Sequence, residues 1–524
     1  MSNKAVNKIS SKDKRREMFI KTPMWKLLIK MCLPGVIIMS IMGIYNFSDN
    51  ILAINFASDS YMGGKPEVRL IMASIMPMMN IGLAIIMMVT VGTTTRVSIN
   101  LGKGDIERAK NTVKTGMMVG MLLMIISSPI IIACTRSWID TQIPSGSAIQ
   151  PEMREEILKA GFNYTLIISA MQLVFFFNNM VSSLLRTEGR MKEATLAMFI
   201  PVIFNLLADY LLMGPGGMGI EGAATATAIA DLITTIVLVL CIIKNKKSII
   251  RFKNLFGFKF AMISMVGIIL VGVAPLFRNA AQSFTGTLQM TVIKDVSNAV
   301  FGNDKHMTWV LTSTFPIFGL FFPLLFGIVQ GAAPVASYNY GAGEIKRVKQ
   351  ATILAFLYTL ILGAIIWLFS TVILAEPLMS ALGVDESIRP EAKKALMILM
   401  LGAPLFSAAI AGMVLFSSTD RVAFSLISSA ARGFILFVPM IFLFKYFSIN
   451  NTNNIYVFWW MWPTLAFSTC LLIVIMIIIT WRKLEEKHTT LDERVEVINA
   501  KIIAFSEKRK IKKQAKKDSK EKNV

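Results

Sequence analysis

Long apolar runs separated by short polar stretches dominate the chain. Segments such as "MVGIILVGVAPLF" and "LLIVIMIIIT" are longer than a soluble core needs. A helix must supply about 20 apolar residues to cross about 30 Å of hydrocarbon. Counting the runs predicts twelve spans: 28–57, 68–95, 113–134, 160–185, 194–213, 220–243, 260–293, 307–337, 351–374, 395–418, 422–444 and 456–480. The fold class expected is an all-α integral membrane protein. Several runs exceed 25 residues, which predicts tilt, kinks or helical extensions beyond the bilayer.

The polar segments carry a second pattern. "NLGKGDIERAK" at 100–110 and "NYGAGEIKRVK" at 339–349 share six of eleven positions at an offset of 239 residues. At the same offset "SIMP" (Ser74–Pro77) sits over "STFP" (Ser313–Pro316), and Gly92 over Gly331. Each motif joins the second and third spans of a six-span half. An even number of spans returns the chain to its starting side, so the halves run parallel about a pseudo-twofold axis along the membrane normal. Gly102 with Gly104, and Gly341 with Gly343, suit a tight turn. Asp105 and Glu344 then suit capping of the next helix. Phosphate binding is not indicated, since no Gly-Lys-Ser/Thr follows.

Composition agrees with a membrane protein: 54% of residues are hydrophobic, 16% are charged, and the mean hydropathy is +0.61. The four cysteines (Cys32, Cys134, Cys241, Cys470) lie in or beside apolar segments, against a disulfide scaffold. His306 and His488 are too few for a transition-metal site. The first span is too long for a signal-peptide core and is expected to stay in the mature protein.

A net charge of +22 would suggest nucleic acid in a soluble protein. Here the bases cluster on one side of the spans, in the N-terminal tail, after spans 2, 4 and 6, and in the C-terminal tail, whereas "DTQIPSGSAIQPEMREE" and "EPLMSALGVDESIRPE" are net acidic. The positive-inside rule explains this distribution and predicts a multi-pass protein with both termini cytoplasmic; the location expected is a bacterial plasma membrane. The lysines lack interleaved aromatics, so anionic lipid rather than nucleic acid is the expected partner of the tails. The division expected is a basic tail at 1–27, an N-lobe at 28–243, a basic inter-lobe loop at 244–259, a C-lobe at 260–480 and a basic tail at 481–524, acting as a monomer.

Besides the paired loops, the chain carries "LRTEGRMKEATLAMFIPVIFNLLADYLLM", "GMGIEGAATATAIAD", "YNFSDNI" and "GAAPVASYNYGAG". With these, residues 25–480 resemble, in order and in register, the multidrug and toxic compound extrusion (MATE) family. The resemblance implies a secondary antiporter that exports small organic compounds, cationic ones foremost, against an inward flow of H⁺ or Na⁺, with no cofactor besides that coupling ion. The alternative is a lipid-linked saccharide flippase of the same superfamily, for which a strongly cationic cavity is expected. A membrane-embedded enzyme finds no support, because no His/Asp cluster, serine nucleophile with a base or metal-ligand spacing is present.

Charged side chains in mid-membrane cost roughly 2.5–3.5 kcal/mol on insertion scales and usually face a cavity or a partner. Asp49, Asp209 and Asp231 lie within predicted spans, all in the first half. Asn205 and Asp209 are four residues apart and share a helical face. Asp49 lies 19 residues beyond Lys30, and Asp209 17 beyond Lys192. For straight helices, that places both roughly 25–29 Å from the basic side, at a depth Thr227 also reaches. The resemblance implies that Asp49, Asn205, Asp209 and Thr227 form an N-lobe cation site, with Asn178 or Asn179 as a further member. Asp49 is then the principal titrating or Na⁺-binding carboxylate and Asp209 its coupled partner. No other metal site is implied; the resemblance gives Asp231 no clear role, and it stands with Asn178, Asn179, Arg278 and Arg432 as an additional candidate cavity residue. Two carboxylates close together in low dielectric titrate as a pair, which suits proton exchange.

Aligning "TEGR" with "STDR" puts Leu436 and Met440 where the first half has Asn205 and Asp209. Spans 7–12 hold Arg278 and Arg432 and no mid-membrane carboxylate, which disfavours a C-lobe Na⁺ site. The two arginines either pair with carbonyls or line the cavity as anion-facing groups. Met and Phe are abundant, as a cavity with adaptable walls requires, but apolar helices contain them anyway.

Overall fold

The computed structural model describes residues 16–56, 60–61, 64–143, 150–244, 248–257, 261–302, 306–382, 384–451 and 456–486. The two basic tails, apart from residues 16–27 and 481–486, lie outside this set, as do parts of both acidic segments and of the basic loop after span 6. With no water in hydrocarbon, every backbone N–H and C=O must be satisfied within the chain, and the apolar runs accordingly form helices. We label them α1 (Met24–Phe56), α2 (Gly64–Lys103), α3 (Ile106–Gln142), α4 (Pro151–Ala170 and Gln172–Thr187), α5 (Met191–Met213), α6 (Gly219–Lys244), α7 (Met262–Phe301), α8 (His306–Gly341), α9 (Ile345–Ile373), α10 (Arg389–Ser418), α11 (Val422–Asn450) and α12 (Met461–Glu486). Eleven are long and apolar enough to cross a membrane unbroken. Counted as one span, the two pieces of α4, bent by 47°, bring the number among the described residues to twelve.

Most helices run past their predicted spans. α2 continues to Lys103 and α3 begins at Ile106, because the polar loop motif is itself helical on both sides of a two-residue turn. Gly104 and Gly343 both take φ 81°, the left-handed turn conformation that glycine adopts without strain. Asp105 accepts from the Arg108 N–H at 2.9 Å and caps α3, whereas the Glu344 side chain makes no cap bond to α9. The expected capping therefore holds in the first copy and fails in the second.

Gly102 and Gly341, expected to serve the turn, serve the lobe interface instead. A Cβ on Gly102 would lie 2.1 Å from the Tyr338 carbonyl oxygen, and one on Gly341 would lie 2.0 Å from that of Ile99. Both pairs are related by the offset of 239, so the two copies of the motif pack on each other across the pseudo-twofold axis. Further along, Gly92 of α2 meets Ile268 of α7, and Gly331 of α8 meets Met31 of α1. The first helix of each lobe thus packs against the second helix of the other at backbone distance.

A charge pair crosses the same interface. Arg96 Nη1 in α2 donates to both carboxylate oxygens of Asp420, at 2.8 and 2.7 Å, with side chains only 2% and 0% exposed. Asp420 sits at φ 54°, and Gly189, its counterpart in the aligned "TEGR" and "STDR" turns, at φ 80°. The shared left-handed turn supports that alignment, and the C-lobe copy carries an aspartate there despite the strain.

Residues 16–23, expected within the basic N-terminal tail, are docked. Phe19 is fully buried, stacked on Tyr338 at 4.6 Å, and its carbonyl accepts from Arg347 at 2.9 Å. Gly189 of the N-lobe lies against Met18 and Phe19 on the other side. The inter-lobe segment is held in a similar way: Glu188 accepts from Ser248 Oγ at 2.5 Å and from the Ile249 N–H at 2.8 Å.

Removing one member of a buried ion pair strands the other and costs about 3–5 kcal/mol. Arg96→Gln is therefore expected to lower the unfolding midpoint of the detergent-purified protein. Arg96→Gln combined with Asp420→Asn should recover part of that loss, as thermal unfolding followed by fluorescence would show. Equal midpoints for wild type and Arg96→Gln would contradict the ion pair.

Candidate functional site

Four helices of the N-lobe bring polar groups together inside the bundle. In α5, Asn205 and Asp209 are one turn apart on a buried face; Asp209 is 0% exposed and Asn205 3%. Pro201, one turn earlier, denies α5 one intrahelical N–H donor beside this face. In α1, Tyr45 and Asp49 are likewise one turn apart, and both are half-buried. The Tyr45 hydroxyl lies 3.4 Å from Thr227 Oγ1 on α6, which ties α1 to α6. Tyr164 of α4 completes the group. Asp49 and Asp209 lie within electrostatic reach of each other, and both act on Tyr45 and Tyr164.

The unsatisfied atoms are informative. Both carboxylate oxygens of Asp209, Asp49 Oδ1 and Asn205 Nδ2 are buried with no hydrogen-bond partner among the described residues. Buried polar groups are ordinarily paired, so a cluster of orphans invites a small bound species. Carboxylate and amide oxygens with neighbouring hydroxyls form a hard-oxygen donor set, suited to a proton or an alkali cation. Assignment of the Asn205 amide is free to reverse, which would offer its oxygen instead.

The remaining candidates separate from this cluster. Asn178 Nδ2 donates to the Asp231 carbonyl at 2.9 Å and lies 3.4 Å from its carboxylate, while Thr235 donates to Asn178 Oδ1 at 2.8 Å. Asn178, Asp231 and Thr235 thus form a local α4–α6 clasp. Asn179 donates to the Phe175 carbonyl of its own helix at 3.0 Å. Neither asparagine is recorded bonding to Asp49 or Asp209. Arg278 reaches Met413 Sδ at 3.7 Å, and Arg432 lies over the rings of Phe406 and Phe322 at 3.9 and 5.3 Å. Among the described residues, neither arginine is recorded pairing with a carboxylate or donating to a backbone carbonyl.

Sequence reading passed over Tyr45 and Tyr164, and also the Arg96–Asp420 pair. Tyr45 was findable, being four residues before Asp49 and so on its face. Tyr164 and Asp420 carry no comparable local signal, because their partners are far along the chain.

A bundle of membrane helices in two repeated lobes, with ionisable groups buried in its interior, is an architecture that membrane transporters use. The family model MatE matches residues 34–211 and 307–443, more than half of the chain, and the chain belongs to that family. It is a membrane transporter and not an enzyme. Its fold matches the outward-facing conformation of a multidrug resistance MATE family transporter at a TM-score of 0.78, with 18% identity, over 90% of this chain and 99% of that one. It also matches a MOP superfamily transporter from Pyrococcus furiosus, described as having a binding pocket of reverse polarity that suggests a different function. That match has a TM-score of 0.76 and 20% identity, over 90% and 99% of the two chains. In sequence, an uncharacterised MG447 homolog of Mycoplasmoides gallisepticum is 24% identical over 74% of this chain and 71% of the relative. One from Mycoplasma pneumoniae is 25% identical over 79% and 80%.

A carboxylate that no protein group satisfies contributes little to folding. Asp209→Asn is therefore expected to leave the thermal unfolding midpoint unchanged or higher while abolishing gradient-driven transport. A large fall in the midpoint would instead assign Asp209 a structural role.

Proposed function

We propose that the protein is a cation-coupled antiporter that exports small organic compounds by alternating access between its lobes. Asp49 serves as the principal ion-exchanging carboxylate, Asp209 as its coupled partner, and Asn205 and Thr227 as neutral ligands or hydrogen-bond donors. The orphaned oxygens of Asp49 and Asp209, gathered from α1 and α5, are the observation that carries this reading. A coupling H⁺ or Na⁺ is cargo here: it enters the cluster, relieves the unsatisfied carboxylates, and leaves on the other side as the lobes re-pack. Neutralising the pair changes the stability of one N-lobe arrangement relative to another, which is what links ion movement to substrate movement. The cytoplasmic side in this reading is the duplicated-loop face with both tails, and the distribution of basic residues in the sequence supports that orientation.

The second reading is a lipid-linked saccharide flippase in the same frame. The carboxylate cluster argues for an ion-driven exchanger, whereas Arg278 and Arg432 are what favour the flippase.

The deciding measurement is efflux of a fluorescent cationic dye from proteoliposomes under an imposed pH or Na⁺ gradient. Wild type should respond to one of the gradients, and Asp49→Asn should reduce the driven component to the background of protein-free vesicles. Driven efflux that survives Asp49→Asn would remove the coupling role from that residue. Absence of dye movement under both gradients, with translocation of a labelled lipid-linked sugar, would establish the flippase.

A further inference from the structure

The two copies of the duplicated loop use the same arginine differently. In the first copy Arg108 pairs with the acid of its own loop, Asp105, at 3.6 Å. Arg347 stands at the same place in the second copy, 239 residues on. It reaches instead for the N-terminal segment, donating from Nη2 to the carbonyls of Phe19 and Thr22 at 2.9 and 2.8 Å. Its Nε donates to Asn339 Oδ1 at 2.9 Å, and Asn339 Nδ2 adds a bond of 3.3 Å to the Phe19 carbonyl. A guanidinium and an amide of the C-lobe thus grip the backbone that precedes α1, and bonds from a charged donor are the stronger kind.

The segment itself is built to dock. Glu17–Lys21 make a single helical turn, spanned by a Lys21–Glu17 ion pair of 2.9 Å, and Thr22 then takes an extended conformation. The turn buries Phe19 completely and lays its ring on Tyr338 of α8 at 4.6 Å. On the N-lobe side, Met18 and Phe19 fill the space over the Gly189 turn, where a Cβ would collide with Met18 Cε. In the C-lobe the matching turn carries Asp420, whose carboxylate goes to Arg96. One aromatic side chain is therefore held between a turn of one lobe and a helix of the other. An arrangement in which Gly189 and Tyr338 have parted cannot keep both contacts, so burial of Phe19 stabilises the closed arrangement over the open one.

We propose that residues 17–22 are a latch that holds the lobes together on the duplicated-loop face, and that withdrawal of Phe19 from between Tyr338 and Gly189 is a step in opening that face. The latch rests on alternating access between the lobes, but not on the coupling role of Asp49 or on the identity of the substrate. It makes the segment before α1 the element that sets the resting balance between the two arrangements, separately from the carboxylate cluster that responds to ions.

The test uses the full chain in nanodiscs, with its four native cysteines replaced by alanine and Ser98→Cys introduced. Ser98 is buried in the seam and donates to the Pro334 carbonyl at 2.9 Å, so a thiol there meets a water-soluble maleimide only when the lobes part. Phe19→Ala should speed alkylation about tenfold or more, and Arg347→Gln by a smaller factor. Phe19→Leu keeps an apolar side chain without the stacking, so its rate should fall between wild type and Phe19→Ala; it also serves if Phe19→Ala fails to fold. Thr371→Cys, in place of Ser98→Cys, puts a thiol at a buried site near the other end of α9 and should react no faster when Phe19 is replaced. A parallel rise there would mean general loosening and would overturn the latch. Equal Ser98→Cys rates with and without the Phe19 and Arg347 substitutions would also overturn it, while leaving alternating access standing. A thiol at 98 that reacts in no folded variant, yet fully after denaturation, would overturn separation of the lobes on this face and the latch with it.

Discussion

Lipid gives apolar surfaces no reason to prefer each other over hydrocarbon tails, so membrane helices must associate through close packing and hydrogen bonds. In this protein the constraint falls on the interface between the lobes. Gly102 against Tyr338 and Gly341 against Ile99 allow two helix ends to meet at backbone distance, and Gly92 and Gly331 do the same further along α2 and α8. The polar loop occurs twice because each copy is the other's packing partner. Everything that distinguishes the lobes is built around that shared seam.

The seam also bounds how the transporter can work. Arg96 and Asp420 are buried together across it, and Phe19 is wedged between Tyr338 and the Gly189 turn. Separating the lobes on this side would expose the ion pair to water and release Phe19. A buried ion pair is only a modest source of stability, because desolvation offsets most of its attraction. Contacts of that kind suit the alternating access proposed above.

Three kinds of buried ionisable group can be told apart by what surrounds them. Arg96 with Asp420, and Glu188 with the 248–250 segment, are paired and hold the frame. Asp231 is clasped by Asn178 and Thr235 within the N-lobe. Asp49 and Asp209 have oxygens that no protein group satisfies, and Arg278 and Arg432 reach aromatic rings and sulfur rather than carboxylates. The last two sets stand in different lobes and carry opposite charge, so the repeat conserves the scaffold and leaves its interior chemistry free to diverge.

The helical class, the twelve spans and the two parallel halves were legible from the chain alone. Apolar run length and a repeat at constant offset are local, additive signals that lipid enforces. Asn205 and Asp209 could be placed on one face by their spacing, and Asp49 at the same depth by counting from Lys30. What spacing could not supply was contact between distant segments. The roles of Gly102 and Gly341 as seam rather than turn, the choice of Asp231 over Asp49 by Asn178, the Arg96–Asp420 pair and the docking of Phe19 each join residues from separate helices. Only the packed bundle decides such pairings, because a buried charge takes its meaning from its neighbours, and in a helical membrane protein those neighbours come from other turns of the chain.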